Sequence, residues 1–436
     1  MAFDSSYSAS LPEQLLDIAN KSGAEAAEVL VSESSARPVF FEANRLKQLE
    51  SNQSEGIALR IWKNHRPGLA VAYGNIAPQT LVERAIALTE LNEPEDAELA
   101  QGTAIEYPDL GQVVDVSTLI EWGNEAIAQI RDYCPEALCA AEWECEAEAT
   151  RLINSTGLDY SYTDTTLSCY VSAELIRGDD FLGVSDGQTQ RFVLDPNHVA
   201  TQIIQRLAWA EKNVSSSQGR IPILFTSKAA DMLWGTIQSA LNGKRVSEEA
   251  SPWSNRVGDQ VTASELTFSQ QPTEGPFSCP FDDEGIATKP ITFVDHGELQ
   301  LFYTDLRTGR SLGSGTTGNG FRPGLGSYPT PGLFNFLISP GSASLDDLIQ
   351  SMEEGIIVDQ ILGGGAGISG DFSVNVDLGF RVQGGRIQGR VKDTMIFGNV
   401  YTALKELVKL GNDAEWNGSC YTPSIIVDGL SAISRH

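Results

Sequence analysis

Residues Gly363 to Asn399 read GGGAGISGDFSVNVDLGFRVQGGRIQGRVKDTMIFGN. The stretch is dense in glycine without being low in complexity. Glycines at 363, 364, 365, 367 and 370 permit positive φ and close backbone approach. The apolar alternation that follows (Phe372-Val374-Val376, Phe380-Val382, then Ile387 with Val391) has the period of half-buried strands, and Gly384-Gly385 is placed for a two-residue hairpin turn. A block of this kind builds a shaped sheet edge, so the C-terminal half is expected to be organised around strands.

The chain has 436 residues, 41% of them hydrophobic, enough for two cores and too many for one ordinary domain. Its formal charge is −28, and the first 150 residues hold 26 acidic against 9 basic side chains. A field of that sign repels phosphate backbones, which excludes direct nucleic-acid binding. Six cysteines stand at 134, 139, 145, 169, 279 and 420 with no Cys-x-x-Cys pair, the pattern of reduced thiols. The alternation Glu142-Trp143-Glu144-Cys145-Glu146 puts Cys145 on one face of a strand, and no histidine accompanies the Cys134, Cys139 and Cys145 group, so packed thiols are expected in place of a metal cluster. The start MAFDSSYSASLPEQL has neither a basic nor an apolar leader region, and no run approaches the roughly 18 apolar residues of a membrane span. A soluble cytoplasmic protein is the expectation.

Helical spacing marks Leu11 to Lys21, and alternating strands follow at Glu28 to Glu33, Val39 to Glu42, Gly56 to Trp62 and Gly68 to Tyr73. Pro78 opens a helix to about Glu90; the acidic Asn92 to Asp109 segment reads as a solvated loop; a second amphipathic helix covers Ser117 to Tyr133. Strands run from Ala140 through a turn at Asn154 to Gly157 and on to Arg177. Asp195-Pro196 reads as an N-cap with proline at the first helical position, launching a helix to about Lys212. Residues 213–219 (NVSSSQG) have linker composition and divide an N-terminal domain, 1–212, from a C-terminal one, 220–436. In the latter, Ile221 to Phe225 is a strand and Ser227 to Leu241 a helix, a hairpin turns at Asp295-His296-Gly297, and further helices are expected over Ser344 to Glu354 and Val400 to Leu410. Helices and strands do not alternate as βαβ units, so the predicted class is α+β, two domains each with a largely antiparallel or mixed sheet and flanking helices.

The order of GDFS, Gly379-Phe380, a Gly-Gly hairpin and a closing Phe397-Gly398-Asn399 resembles the C-terminal domain of the TldD/PmbA family. These proteins were labelled modulators of DNA gyrase and are better described as subunits of a metalloprotease. The likeness extends over Phe281-Asp282-Asp283-Glu284-Gly285, the Asp295-His296-Gly297 hairpin, the loop Gly315-Thr316-Thr317-Gly318-Asn319-Gly320, Asn335 and the terminal Thr422-Pro423-Ser424. Catalytic subunits of the TldD type carry His-Glu-x-x-x-His on the helix after the first strand of this domain. At the matching place Thr226 and Asp231 stand for the histidines and Ser227 for the glutamate. Zinc requires three or four N, S or O donors, and the only histidines, at 65, 198, 296 and 436, have no ligand spacing.

The chain is therefore similar to the PmbA/TldE branch. That resemblance implies no catalytic residue and no metal or cofactor in this chain, zinc in a TldD-like partner subunit of a heterodimer, and unfolded peptide as the substrate. This chain would form cavity wall and grip extended peptide by main-chain hydrogen bonds. Its candidate cleft residues are Thr316, Thr317 and Asn319 in one loop, and Gly370, Asp371 and Ser373 near the sheet edge.

Other motifs lead elsewhere. Gly183-Val184-Ser185-Asp186-Gly187 fits G-x-S-x-G, yet Thr189 to Val193 reads as a strand where a nucleophile elbow needs a helix; a polar hairpin turn is expected. The Gly313 to Gly326 loop lacks a Gly-Lys-Ser/Thr ending and leads into prolines, which argues against phosphate binding. Asp282-Asp283-Glu284 could form an acid/base pair or hold a divalent ion, against the expectation of solvated loop charges. Cys420 lies in the region from which metal-binding subunits draw a thiolate, but its spacing to Pro423 differs and a packed thiol is expected. Two alternatives stay open: an acidic cytosolic regulator of gyrase-modulator type without proteolysis, and a stand-alone hydrolase using Ser185 or the Asp282 cluster.

Overall fold

The structure, a computed structural model, describes residues 10–434. Its first half is a nine-stranded sheet dominated by long antiparallel ladders. Ala26–Ala36 pairs with Asn52–Lys63 and with Leu138–Asn154, and the latter runs against Asp159–Arg177 over most of its length. Helices Leu11–Lys21 and Pro78–Thr89 cover one end, burying Leu15, Leu81, Val82 and Ala85 against Val29, Leu59 and Ile61.

The second half has a nine-stranded and a six-stranded sheet, both mixed: the Ile223–Phe225 strand is parallel to Glu354–Leu362 and antiparallel to Ile425–Val427. Helix Ser227–Leu241 lies within the core that the two sheets form. It buries Ala229, Ala230, Leu233, Trp234, Thr236, Ile237, Ala240 and Leu241, so it is apolar over most of its circumference, as an interior helix must be. Trp234 packs edge-on against Phe268 and donates its indole N–H to Thr422 Oγ1 at 2.7 Å. The α+β class is the one the sequence predicts.

One apolar core crosses between the halves. Val199, Ile203 and Leu207 of helix Pro196–Trp209 pack with Leu224, Ile357, Leu378, Phe380 and Ile426, and Trp209 meets Phe380 edge-on at 5.3 Å. Residues 213–219 are packed too: Val214 N donates to the Arg390 carbonyl and the buried Ser217 hydroxyl to Glu354.

Within the opening stretch, Asp371–Gln383, Arg386–Val391 and Thr394–Asn399 are strands, with Phe372, Val374, Val376, Phe380 and Val382 buried. Gly384 and Gly385 turn the hairpin at φ +58° and +68°. Of the five glycines before it, only Gly363 and Gly370 use positive φ; Gly365 serves close approach, since a Cβ there would lie 3.2 Å from the Met232 carbonyl.

Three expected elements differ. The helix expected to Glu354 is Leu345–Gln350, because Glu354–Leu362 is drawn into the sheet beside Ile223–Phe225. The helix expected to Leu410 is Val400–Lys405, because Leu407–Leu410 pairs with Ile425–Val427. Gly183 to Gly187 is no turn: it lies inside strand Asp180–Gln190, paired to Asp159–Arg177 from end to end.

Candidate functional site

Thr226 follows strand Ile223–Phe225 and caps the interior helix, its hydroxyl accepting from Ala229 N. Ser227 is held through its backbone: its N–H donates to Ser424 Oγ at 3.0 Å and its carbonyl accepts from Asn417 Nδ2 at 2.7 Å. Asp231 hydrogen-bonds the thiol of Cys420, which is 2% exposed. Burial raises the Asp231 carboxyl and pushes the thiol far above its ordinary range, with the Asp231 charge adding to that rise. Both groups are thereby biased toward their protonated forms, which are poor metal ligands. The residues present do not fit a zinc ion: one carboxyl and one thiol make two donors, and among the described residues no group of three His, Cys, Asp or Glu could hold a metal. His436 lies outside the described residues.

A cleft of about 410 Å3 opens over this helix start, with Lys228, Asp231 and Asp186 in its floor and Gly187 to Thr189 facing Trp416 to Gly418 across it. The two walls are neighbouring strands. Asp180–Gln190 pairs along one side with Asp159–Arg177, and Glu415–Asn417 with Cys420–Thr422, so each has an edge outside these ladders. Lys228 Nζ donates to the Ser185 carbonyl. Asp186 is raised by burial, opposed by the Lys228 and Arg206 charges, and Arg206 is itself paired with buried Asp359 at 3.1 Å. At the rim His198 meets Glu415 at 2.9 Å, a contact that raises the imidazole. The arrangement offers main-chain edges, one ammonium and carboxyls held back from ionisation.

The candidate residues occupy two separate places. Thr317 and Asn319 are buried and turned inward: Thr317 Oγ1 accepts from Thr304 N at 2.7 Å and donates within a network to Asn319, which in turn binds Gln270 at 2.8 Å and the Gly332 carbonyl at 2.9 Å. Thr316 Oγ1 donates to the Thr304 carbonyl. Gly370, at φ +83° and against the Tyr401 ring, leads into Asp371 and Ser373 on the exposed face of their strand. The glycine loop before them is tied to the interior helix by Thr236 Oγ1, which donates to the Ala366 carbonyl at 3.1 Å. Sequence reasoning missed Lys228, Asp186 and the Asp231–Cys420 contact; the last joins residues 189 positions apart, and only the sheet topology brings them together.

Two further motifs resolve differently from expectation. Ser185 Oγ donates to Gln360 Oε1 at 2.6 Å from the middle of a strand, without a following helix. Asp282-Asp283-Glu284 is not a solvated loop. Asp282 is fully buried and accepts from Glu284 N, Ile286 N and Gly320 N, with burial raising it to about 7. Asp283 accepts from Arg322 N and burial raises it to about 6; Glu284 accepts from Leu306 N at 2.8 Å and rises, mainly by burial, to about 8. The chain folds them inward because they satisfy backbone donors of three separate segments. Gly320 fits only as glycine, since a Cβ would stand 2.3 Å from Glu284 Oε2.

Fold and cleft together define an α+β protein whose interior helix starts in the floor of an open cleft. Residues 218–434 match the PmbA/TldA metallopeptidase C-terminal domain and residues 27–89 match domain 1 of the same group. The chain belongs to the PmbA/TldD metallopeptidase family. It is 24% identical over 439 residues to a metalloprotease PmbA homolog of Haemophilus influenzae, covering 95% of this chain and 93% of that one. A zinc metalloprotease TldD homolog of Saccharolobus solfataricus is 24% identical over 225 residues, 51% of this chain and 50% of the other. The crystal structure of TldE from Thermococcus kodakarensis shares the fold, with a TM-score of 0.88, 22% identity, and coverage of 97% of this chain and 100% of that one. No helix among the described residues is long and apolar enough to cross a membrane.

Proposed function

We propose that this chain is the metal-free subunit of a heterodimeric zinc metallopeptidase, completed by a TldD-like subunit that holds the zinc, and that together they hydrolyse unfolded peptides. The observation that carries the reading is the start of the interior helix, where Thr226 and Ser227 are committed to capping and backbone anchoring and Asp231 to a thiol. A peptidase must activate water and stabilise an oxyanion, and those groups supply neither. What the chain contributes is wall and main chain: the strand edges beside Lys228, and the glycine loop running to Asp371 and Ser373. Extended peptide bound at such edges is held through backbone hydrogen bonds with little side-chain selectivity. Thr316, Thr317 and Asn319 lie apart from that loop and act within their own, which they fix through hydrogen bonds to Thr304, Gln270 and Gly332. Mixing the purified chain with a TldD-like subunit and assaying cleavage of an unfolded protein tests the reading; cleavage by this chain alone contradicts it.

A further inference from the structure

The nine-stranded sheet of the C-terminal half leaves part of one face open. Strand Asp371–Gln383 exposes Asp371, Ser373, Asn375 and Asp377 while it buries Phe372, Val374 and Val376 in the core. Its neighbours carry apolar side chains onto that same open face, because residues directly opposite in a ladder point the same way. One row, Leu362 to Asn375 to Met395 to Ile433, crosses four strands, and the next holds Ser373, Phe397 and Ser431. Leu362 is 55% exposed, Ile433 45% and Phe397 37%, with Met395 half-buried. Met395, Phe397 and Ile433 adjoin one another, and Leu362 lies one strand beyond Asn375. A single exposed leucine is ordinary, whereas contiguous apolar side chains on an open face mark an interaction surface.

The charges beside this patch are of one sign. The four strands carry Glu354, Asp359, Asp371 and Asp377 against a single base, Arg381, which is paired with Glu354 at 3.3 Å. Asp371 and Asp377 flank the row, Asp371 bonded to the neutral Asn399 amide at 2.9 Å. A second copy of this chain would meet the face symmetrically, bringing like acids together between two chains of formal charge −28. The patch fits instead a different protein, one that offers apolar side chains flanked by lysine or arginine.

We propose that the open face around Leu362, Met395, Phe397 and Ile433 is where the zinc-holding subunit docks, an inference that rests on the heterodimer reading above. Leu362 leads directly into the glycine loop, and Asp371 and Ser373 lie at the border of the patch, so a subunit seated here abuts the main chain assigned to the peptide. Sedimentation velocity with the full chain and a TldD-like subunit, alone and mixed, tests it. The chain alone should run as a monomer and the mixture as a heterodimer. Leu362→Asp combined with Ile433→Asp, both at exposed positions, should weaken the heterodimer at least tenfold while the far-UV spectrum stays that of the natural chain. Should the double variant not fold, Leu362→Ser alone, at the most exposed site of the row, should still weaken it about threefold. The docking face is overturned if folded variants associate as tightly as the natural chain, or if the chain alone forms a dimer that the double variant loses, which would make a second copy the occupant. A natural chain that does not associate with the subunit at all defeats the heterodimer reading itself, and this face with it.

Discussion

Glu284→Gln should make the protein more stable at alkaline pH and leave it nearly unchanged at mildly acidic pH. Glu284 is 5% exposed, accepts one backbone hydrogen bond and sits beside Asp282, and burial raises it from 4.5 to about 8. A carboxyl raised on folding binds more protons in the native than in the unfolded state. Its contribution is therefore fully present below pH 4.5 and is lost as pH rises through about 8. Each pH unit inside that window costs about 1.4 kcal/mol, so Glu284 alone removes about 3 kcal/mol between pH 5.5 and 8.5. Glutamine keeps an oxygen for Leu306 N and cannot ionise, so that loss should vanish in the variant. Urea unfolding at the two pH values measures it: the natural chain should lose about 3 kcal/mol more than Glu284→Gln. Equal pH dependence in the two proteins would refute the assignment of a buried, proton-holding carboxyl.

Thr317→Val should cost about 1–3 kcal/mol in the same unfolding assay, because Thr304 N loses its acceptor in a buried network. Gly370→Val should destabilise the sheet edge, since φ there is +83° and the new side chain meets Tyr401 within 3 Å; a lowered Tm with an unchanged far-UV spectrum is the expected result. Ser185→Ala should leave peptidase activity of a reconstituted complex within about twofold, because Ser185 is a strand residue bound to Gln360; a hundredfold loss in a folded protein would make it a nucleophile.

Much of the fold was legible locally. Asp195-Pro196 announced its helix, and Asp195 does accept from His198 N at 3.0 Å; the Phe372 to Val382 alternation announced its strands. What escaped was set by partners far along the chain. Residues 351–354 and 407–410 follow helical patterns closely enough to read as helix ends, and only the pairing of Glu354–Leu362 with Ile223–Phe225 and of Leu407–Leu410 with Ile425–Val427 turns the chain to strand there. Ser185 looked like a turn because its neighbours are glycine and aspartate, yet the Asp159–Arg177 ladder holds it extended. Asp282, Asp283 and Glu284 carry no local sign of burial. Their desolvation comes from segments folded over them, with Gly320, Arg322 and Leu306 supplying the donors that make it tolerable.

The central claim is that this chain holds no catalytic zinc and works only with a subunit that does. Purifying the chain and a TldD-like subunit without chelator, measuring zinc in each, and assaying an unfolded protein substrate with each alone and with both tests it most directly. The account predicts no stoichiometric zinc here, about one per partner chain, and cleavage only in the mixture. Stoichiometric zinc in this chain, cleavage by it alone, or full activity of the partner without it would contradict the account.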